Sequence, residues 1–135
     1  VVCNPPYFSQ GRGRLSLELQ AARARHDVSG TLTDFIRAAA FAVKNRSRAA
    51  FIFPASSQAQ LQQQLLAFRL VPKRLQMISS YAAAQHASLV LVEAMKNGGE
   101  SCEVMPPFYL YDQPGGNYSP SMQTLYQEER CWPQY

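Results

Sequence analysis

Apolar residues recur at helical spacing between Thr31 and Lys44. The apolar positions are Leu32, Phe35, Ile36, Ala39, Ala40 and Val43. Thr31 and Asp34 form an N-terminal capping pair, so the pattern predicts an amphipathic helix of about three turns. The next apolar run, 49–53, is continuous and is followed by Pro54. It predicts a strand buried on both faces, and a helix followed by such a strand is typical of an α/β sheet.

A second helix is predicted after this strand by the spacing of its apolar residues. Ser57 and Gln60 resemble a capping box, and the Gln-rich segment that follows them ends before Pro72. We expect one apolar face on this helix, formed by Leu61, Leu65, Leu66 and Phe68.

Two strands follow this helix in the predicted order. They are expected at 74–81, with Leu75 and Met77 on one face, and at 88–94. Strands joined by a short loop without a helix are most simply antiparallel neighbours.

The end of the chain predicts a short tail and a last helix. An apolar piece at 108–111 and a turn at 112–117 precede Ser119 and Pro120, which suit a helix cap and first turn. This helix should continue through Tyr126. The complete order predicts an α/β fold, one flank of a doubly wound, Rossmann-like sheet that ends in an antiparallel β-hairpin.

Length, charge and cysteine content narrow the class of protein. The 135 residues suit one domain, and no apolar stretch approaches the roughly 20 residues that span a bilayer. The net charge is +4. Residues 1–48 carry eight basic and three acidic side chains, so a polyanion is a plausible partner for this third of the chain, and a solvated arginine-rich loop is the alternative.

The three cysteines, Cys3, Cys102 and Cys131, are too scattered for a zinc site or a disulfide framework, so we expect no metal and a reducing compartment. The chain starts at Val1 and has no signal-peptide pattern. We therefore expect a segment of a longer cytoplasmic protein.

The segment Asn4-Pro5-Pro6-Tyr7 carries the most specific chemistry. It directly follows an apolar strand, and ligands of open α/β sheets bind at the carboxyl ends of strands. Consecutive prolines hold Asn4 and Pro5 extended, so the Asn4 amide oxygen and the Pro5 carbonyl can accept both N–H bonds of a planar amine such as adenine N6. Tyr7 and Phe8 offer aromatic faces for a flipped base. The alternative interpretation of the motif is a rigid turn.

This motif is similar to the catalytic signature of S-adenosylmethionine-dependent amino-methyltransferases, which act on adenine N6 in DNA or RNA or on glutamine side chains. Further segments, in the same order, resemble the bacterial tRNA1(Val) N6-adenine methyltransferases. These segments are 24–27, 31–35, 72–75, 89–94, 110–112 and 116–119. The resemblance covers nearly the whole chain.

The resemblance implies a class I methyltransferase fold, with residues 1–135 as the C-terminal part of the catalytic domain. It implies that the cofactor is S-adenosylmethionine and that Asn4 also contacts this cofactor. It further implies that the catalytic motif consists of Asn4, Pro5, Pro6 and Tyr7. Such enzymes bind the cofactor mainly through an N-terminal half with a glycine-rich turn and an acidic residue. Gly11-Arg12-Gly13 follows the motif and so has the wrong position for that turn. We therefore expect the isolated chain to be inactive.

The sequence is also compatible with two other functions. One is a glutamine N5-methyltransferase that acts on a protein, and the other is a non-catalytic RNA-binding or interaction module. If the enzyme modifies tRNA, the basic loop is expected to hold phosphates beside the base-binding Phe8. The loop residues proposed for this role are Arg12, Arg14, Arg23 and Arg25.

Several further residues have a simpler expected role. Lys73 and Arg74 are weaker candidates for phosphate binding, and His26 is expected to order its loop. His86 should be at the surface, and Cys3 should be a buried, unreactive thiol. Without a preceding half, the strand that ends at Cys3 would expose an apolar edge and favour self-association.

Overall fold

Over residues 1–5 and 31–129, the computed structural model describes one six-stranded sheet with three α-helices. The strands are β1 (Val2–Cys3), β2 (Arg48–Pro54), β3 (Leu70–Ser79), β4 (Leu89–Lys96), β5 (Glu103–Val104) and β6 (Phe108–Tyr109). The helices are α1 (Leu32–Ala42), α2 (Gln58–Ala67) and α3 (Pro120–Glu129), and a 3₁₀ turn at Ala55–Ser57 precedes α2. Within these residues, no helix combines the length and apolar character needed to cross a membrane.

The strands lie in the spatial order β1-β2-β4-β3-β5, and β6 pairs with β3. The pairs β1–β2, β3–β5 and β3–β6 are parallel, whereas β4 is antiparallel to both β2 and β3. The predicted hairpin of β3 and β4 is therefore confirmed. Strands β1, β2, β3 and β6 all end on one side of the sheet, and we call the segments that follow them, including 4–5, 55–57 and 110–119, the carboxyl edge.

Helix α1 forms where its spacing and its cap predict it. Thr31 takes an extended N-cap conformation, its hydroxyl accepts a hydrogen bond from the Asp34 backbone N–H at 3.3 Å, and the Asp34 carboxylate accepts the Thr31 backbone N–H at 2.9 Å. These two bonds make the predicted capping box. Ile36 and Ala39 face the core, whereas Phe41 on the opposite side is 91% exposed.

The capping box gives α1 a pH-dependent anchor. Chiefly because the Thr31 side chain donates a hydrogen bond to it, the pKa of the Asp34 carboxyl lies below its usual value. The depressed pKa stabilises the fold above the ordinary pKa of aspartate, about 4, and this contribution is lost as the pH falls through the lower folded value.

We expect Thr31→Ala to lower the free energy of unfolding by about 1 kcal/mol near pH 7. The difference in unfolding free energy should shrink below pH 4, because protonation of Asp34 weakens the hydrogen bond that its carboxylate accepts from the Thr31 hydroxyl. Urea denaturation of both proteins between pH 3 and 7 measures it. Ser121→Ala, on an exposed position of α3, is the control and should change little. A deficit that stays the same across this range would contradict the coupling to Asp34.

The predicted cap of α2 is wrong, although the helix exists. The Ser57 side chain makes no capping hydrogen bond, and its backbone angles, φ −110° and ψ 16°, are not the extended ones of an N-cap. The reason is the 3₁₀ turn, which leads the chain into the helix and lets the Gln58 N–H bond the Ala55 carbonyl.

The predicted apolar face of α2 is also too wide. Leu61 and Leu65 are fully buried and Phe68 packs against the core, but Leu66 is 55% exposed. Leu66 follows Leu65 by about 100° around the helix, which turns it out of the core-facing side.

Strand β2 is buried on one face and only half covered on the other. Ala49, Phe51 and Phe53 are buried, whereas Ala50 and Ile52 are partly exposed. The expectation of two buried faces was wrong because the core lies on one side of the sheet, where residues of α1 and α2 cluster with these three.

Strand β3 begins earlier than predicted, at Leu70, and runs through Pro72. The register against β4 shifts between Pro72 and Arg74. Proline has no N–H to give to the ladder, and such an irregularity is where a sheet tolerates it.

The predicted last helix is confirmed as α3. The Ser119 hydroxyl accepts the Met122 backbone N–H at 3.1 Å and donates to the Tyr109 carbonyl at 2.6 Å. Ser119 thus caps α3 and ties it to β6.

Candidate active site

The predicted motif begins where β1 ends. Val2 and Cys3 pair with Ala50 and Phe51 of β2 in parallel register, which confirms a strand immediately before Asn4. Asn4 is exposed, and Pro5 is fully buried. The Pro5 ring is therefore packed in the interior, while Asn4 reaches solvent at the carboxyl edge.

Cys3, the residue before Asn4, packs against the hydrophobic core. It is half-buried, and its burial raises the pKa of the thiol. A raised pKa keeps the sulfur protonated near neutral pH. Because only the thiolate is strongly nucleophilic, this thiol is unreactive. Cys3 therefore contributes packing, as expected from the sequence, although it is half-buried and not fully buried.

Backbone hydrogen bonds join the other segments of the carboxyl edge. The Ala55 N–H donates to the Ser88 carbonyl at 3.0 Å, and the Ser88 N–H donates to the Ile78 carbonyl at 2.8 Å. The Tyr111 N–H donates to the Ser80 carbonyl at 2.8 Å. The ends of β2, β3 and β6 thus form a continuous scaffold, and His86 is exposed in its loop, as predicted.

Most of the predicted substrate contacts involve residues outside the described part of the chain. Pro6, Tyr7, Phe8, Arg12, Arg14, Arg23 and Arg25 lie outside the described residues, as does His26. The structure thus describes two members of the motif, Asn4 and Pro5, and their contacts with an amine stay a prediction.

Lys73 and Arg74 lie away from the carboxyl edge, in the first half of β3. Arg74 is five residues before the end of this strand, roughly 17 Å at the usual rise per residue. Lys73 donates to the Gly99 carbonyl at 2.9 Å, and Arg74 pairs with Glu103 at 3.4 Å. Both side chains therefore bind residues of β5 or of the segment that precedes it.

Sequence reasoning missed a cluster of aromatic side chains at the carboxyl edge, which we call the tyrosine stack: Tyr111, Tyr118 and Tyr126. The ring centroids of Tyr111 and Tyr118 are 5.4 Å apart at 17°, and those of Tyr118 and Tyr126 are 5.3 Å apart at 30°. The rings come from three local structures and follow no helix or strand period. The available signal was the turn at 112–117, which brings the flanking tyrosines together.

The fold, and not the sequence, resembles known proteins. The sequence has no significant match among protein-family models or curated proteins. The structure matches the crystal structure of a predicted O-methyltransferase, protein Atu636 from Agrobacterium tumefaciens, with a TM-score of 0.64 over 93% of this chain. The fold is Rossmann-like.

This match confirms the predicted fold class. The two sequences are 18% identical, and this chain spans about half, 49%, of the length of the solved protein. The assignment of residues 1–135 to the C-terminal part of a catalytic domain stays a prediction.

Proposed function

We propose that this chain belongs to an S-adenosylmethionine-dependent methyltransferase that modifies the N6 amine of an adenine in tRNA. The observation that carries the proposal is the position of Asn4-Pro5 directly after β1, with Asn4 exposed at the carboxyl edge of a Rossmann-like sheet. Ligands of open α/β sheets bind at this edge. The fold match to a predicted O-methyltransferase supports the reaction class.

The proposed role of the motif is to hold the amine. The Asn4 amide oxygen accepts one N–H of the adenine amine and the Pro5 carbonyl accepts the other, which orients the nitrogen lone pair. Pro5 is buried, which supports the proposal that its carbonyl is held in place before substrate arrives. Tyr7 and Phe8 stack on the base in this proposal.

When bound, S-adenosylmethionine supplies an electrophilic methyl group. A cofactor of this kind also needs a partner for its ribose hydroxyls, and a carboxylate is the usual one. In the described part of the chain, the carboxylates of Asp34 and Glu93 pair with Arg37 and Arg48, and Asp112 follows β6, at the opposite end of the strand order from β1. We therefore propose that the ribose partner comes from the N-terminal half that the resemblance implies.

From this, the 135-residue chain is expected to bind S-adenosylmethionine weakly or not at all and to transfer no methyl group. Calorimetric titration of the chain alone, and again with the proposed N-terminal half added, measures this. Binding should gain affinity when the second half supplies the missing contacts. Micromolar binding by the chain alone would contradict the proposed division of the site.

Charge favours a nucleic acid over a protein substrate. The net charge is +4, and the basic excess lies within residues 1–48, which include the motif. We propose that Arg12, Arg14, Arg23 and Arg25 hold tRNA phosphates, an interaction that weakens with salt. We also propose that β1, the end strand of the described sheet, pairs with the proposed N-terminal half or with a second copy, since Val2 is 88% exposed.

The test uses the full-length protein with labelled S-adenosylmethionine and unmodified tRNA. Nuclease digestion and mass spectrometry should find N6-methyladenosine. A parallel reaction offers a glutamine-bearing protein substrate. Methylation of the protein alone would favour a glutamine N5-methyltransferase, and cofactor-independent tRNA binding without transfer to either substrate would favour an RNA-binding module.

A further inference from the structure

The tyrosine stack borders an open pocket of about 500 Å³, lined by Tyr118, Gln123, Tyr126 and Gln127. Tyr118 and Tyr126 are 42% and 46% exposed. A volume of this size is ordinary for a small-molecule or nucleobase site. The pocket is not used by the amine-binding role proposed for Asn4-Pro5.

The central ring of the stack is fixed from both sides. Tyr118 pairs with Tyr111 across an isolated antiparallel bridge, closed by the Asp112 N–H, which donates to the Asn117 carbonyl at 3.1 Å. The next residue, Ser119, is buried and joins β6 to α3 through its hydroxyl. A preorganised ring binds a ligand at a lower entropic cost than a mobile one.

The lining favours a neutral planar ligand. Among the described residues, it consists of two aromatic rings and two amides, none of them charged. The Gln123 amide is held beside the ring because its Nε2 donates to the Tyr118 carbonyl at 2.7 Å. Aromatic rings stack on nucleobases, and amides match the donors and acceptors on base edges, whereas a phosphate would need cations.

The pocket also has a useful position relative to Asn4. It lies beside the residues that follow β6, and β6 is four strands from β1 in the order β1-β2-β4-β3-β6. At the usual spacing of neighbouring strands, this separation is roughly 19 Å along the carboxyl edge. One polynucleotide can reach both places.

We propose that the tyrosine pocket is a second nucleobase site, which stacks an unpaired base of the RNA a few nucleotides away from the target adenine. This inference rests on the proposed tRNA substrate. The methyl-transfer chemistry belongs to the Asn4 site, and the tyrosine pocket supplies affinity and register.

The test measures binding of an unstructured ten-nucleotide RNA to the full-length protein by fluorescence anisotropy. Tyr118→Ala removes the ring that holds the outer ring, Tyr126, in place, and it should weaken binding about fivefold or more, the scale of one lost base stack. Tyr118→Phe keeps the ring and should bind like the wild type. Phe41→Ala removes an aromatic ring that is 91% exposed on α1 and is the matched control, expected to have no effect.

Salt dependence separates this pocket from the basic loop. Because the Tyr118 ring is uncharged, the ratio of wild-type to Tyr118→Ala affinity should stay constant between 50 and 200 mM salt, while both affinities fall. Gln127→Ala, at the rim, is a second variant that leaves the stacked rings in place and should also weaken binding. Its use keeps the test valid if circular dichroism shows that Tyr118→Ala is misfolded.

The outcomes distinguish the two proposals. If the protein methylates no RNA but Tyr118→Ala still loses RNA affinity, the pocket stands and the proposed reaction fails. If tRNA is methylated and Tyr118→Ala and Gln127→Ala leave both RNA affinity and the KM for tRNA unchanged, the pocket proposal is overturned. The pocket proposal is also overturned if these variants lose affinity for a glutamine-bearing peptide and keep their affinity for RNA.

Discussion

Asn4→Ala in the full-length protein is expected to lower the methyl-transfer rate about 10²–10³-fold, the usual effect of removing one preorganised polar contact from a transition state. S-adenosylmethionine affinity should change only a few-fold, because in our proposal Asn4 contacts the target amine more than the cofactor. Single-turnover kinetics with saturating tRNA and calorimetric titration of the cofactor measure the two quantities separately.

Two variants control for the position and the chemistry of Asn4. Ser56→Ala changes another exposed side chain at the carboxyl edge and should leave the rate unchanged. Asn4→Asp keeps an acceptor oxygen and should retain more activity than Asn4→Ala. Full activity in Asn4→Ala would remove the amine-binding role, and equal losses in the alanine and aspartate variants would argue against an acceptor.

Phe51→Ala is expected to cost about 3–5 kcal/mol of unfolding free energy. Phe51 is 0% exposed at the middle of β2, where it pairs with Cys3 on one side and Val92 on the other. Its ring fills the space between the sheet and the two core helices, so its loss leaves a cavity. Because domains have only about 5–15 kcal/mol of net stability, the variant should be partly unfolded near 37 °C.

Phe41→Ala is the matched control for this prediction. The same atoms are removed from a ring that is 91% exposed, so the free energy of unfolding should change by about 0.5 kcal/mol or less. Urea denaturation followed by circular dichroism compares the two variants. Similar losses in both would mean that Phe51 is not central to the core.

Local signals predicted the elements that rest on local interactions. The Thr31–Asp34 pair and the apolar spacing behind it predicted α1, and Ser119-Pro120 predicted α3, because a cap and its helix lie within a few residues. The same holds for the hairpin of β3 and β4, whose strands follow each other with only a loop between them.

The motif was found in the same way for a physical reason. Asn4-Pro5 directly follows an apolar run within one short segment, so its place after β1 needed no knowledge of distant residues. The chemistry of the amide followed from the residue type. What the amide would bind came from its resemblance to a family.

Features that depend on distant segments escaped prediction. Sequence spacing could not show that α1 and α2 lie on the same side of the sheet, and this decided that β2 is buried on one face. The 3₁₀ turn at Ala55–Ser57 displaced the expected Ser57 cap, since its geometry leads directly into α2.

The amino-acid pattern alone therefore established the order of the three helices and of the long strands β2, β3 and β4, the caps of α1 and α3, and a polar motif after β1, because each of these is written within one short segment. It did not predict β5, and it gave β6 only as an apolar segment. Folding in three dimensions decided which faces are buried and which side chains meet. The tyrosine stack shows the difference, since Tyr111, Tyr118 and Tyr126 come together only when the turn and α3 pack against β6. Contacts of this kind depend on the positions of whole elements, which no local residue pattern encodes.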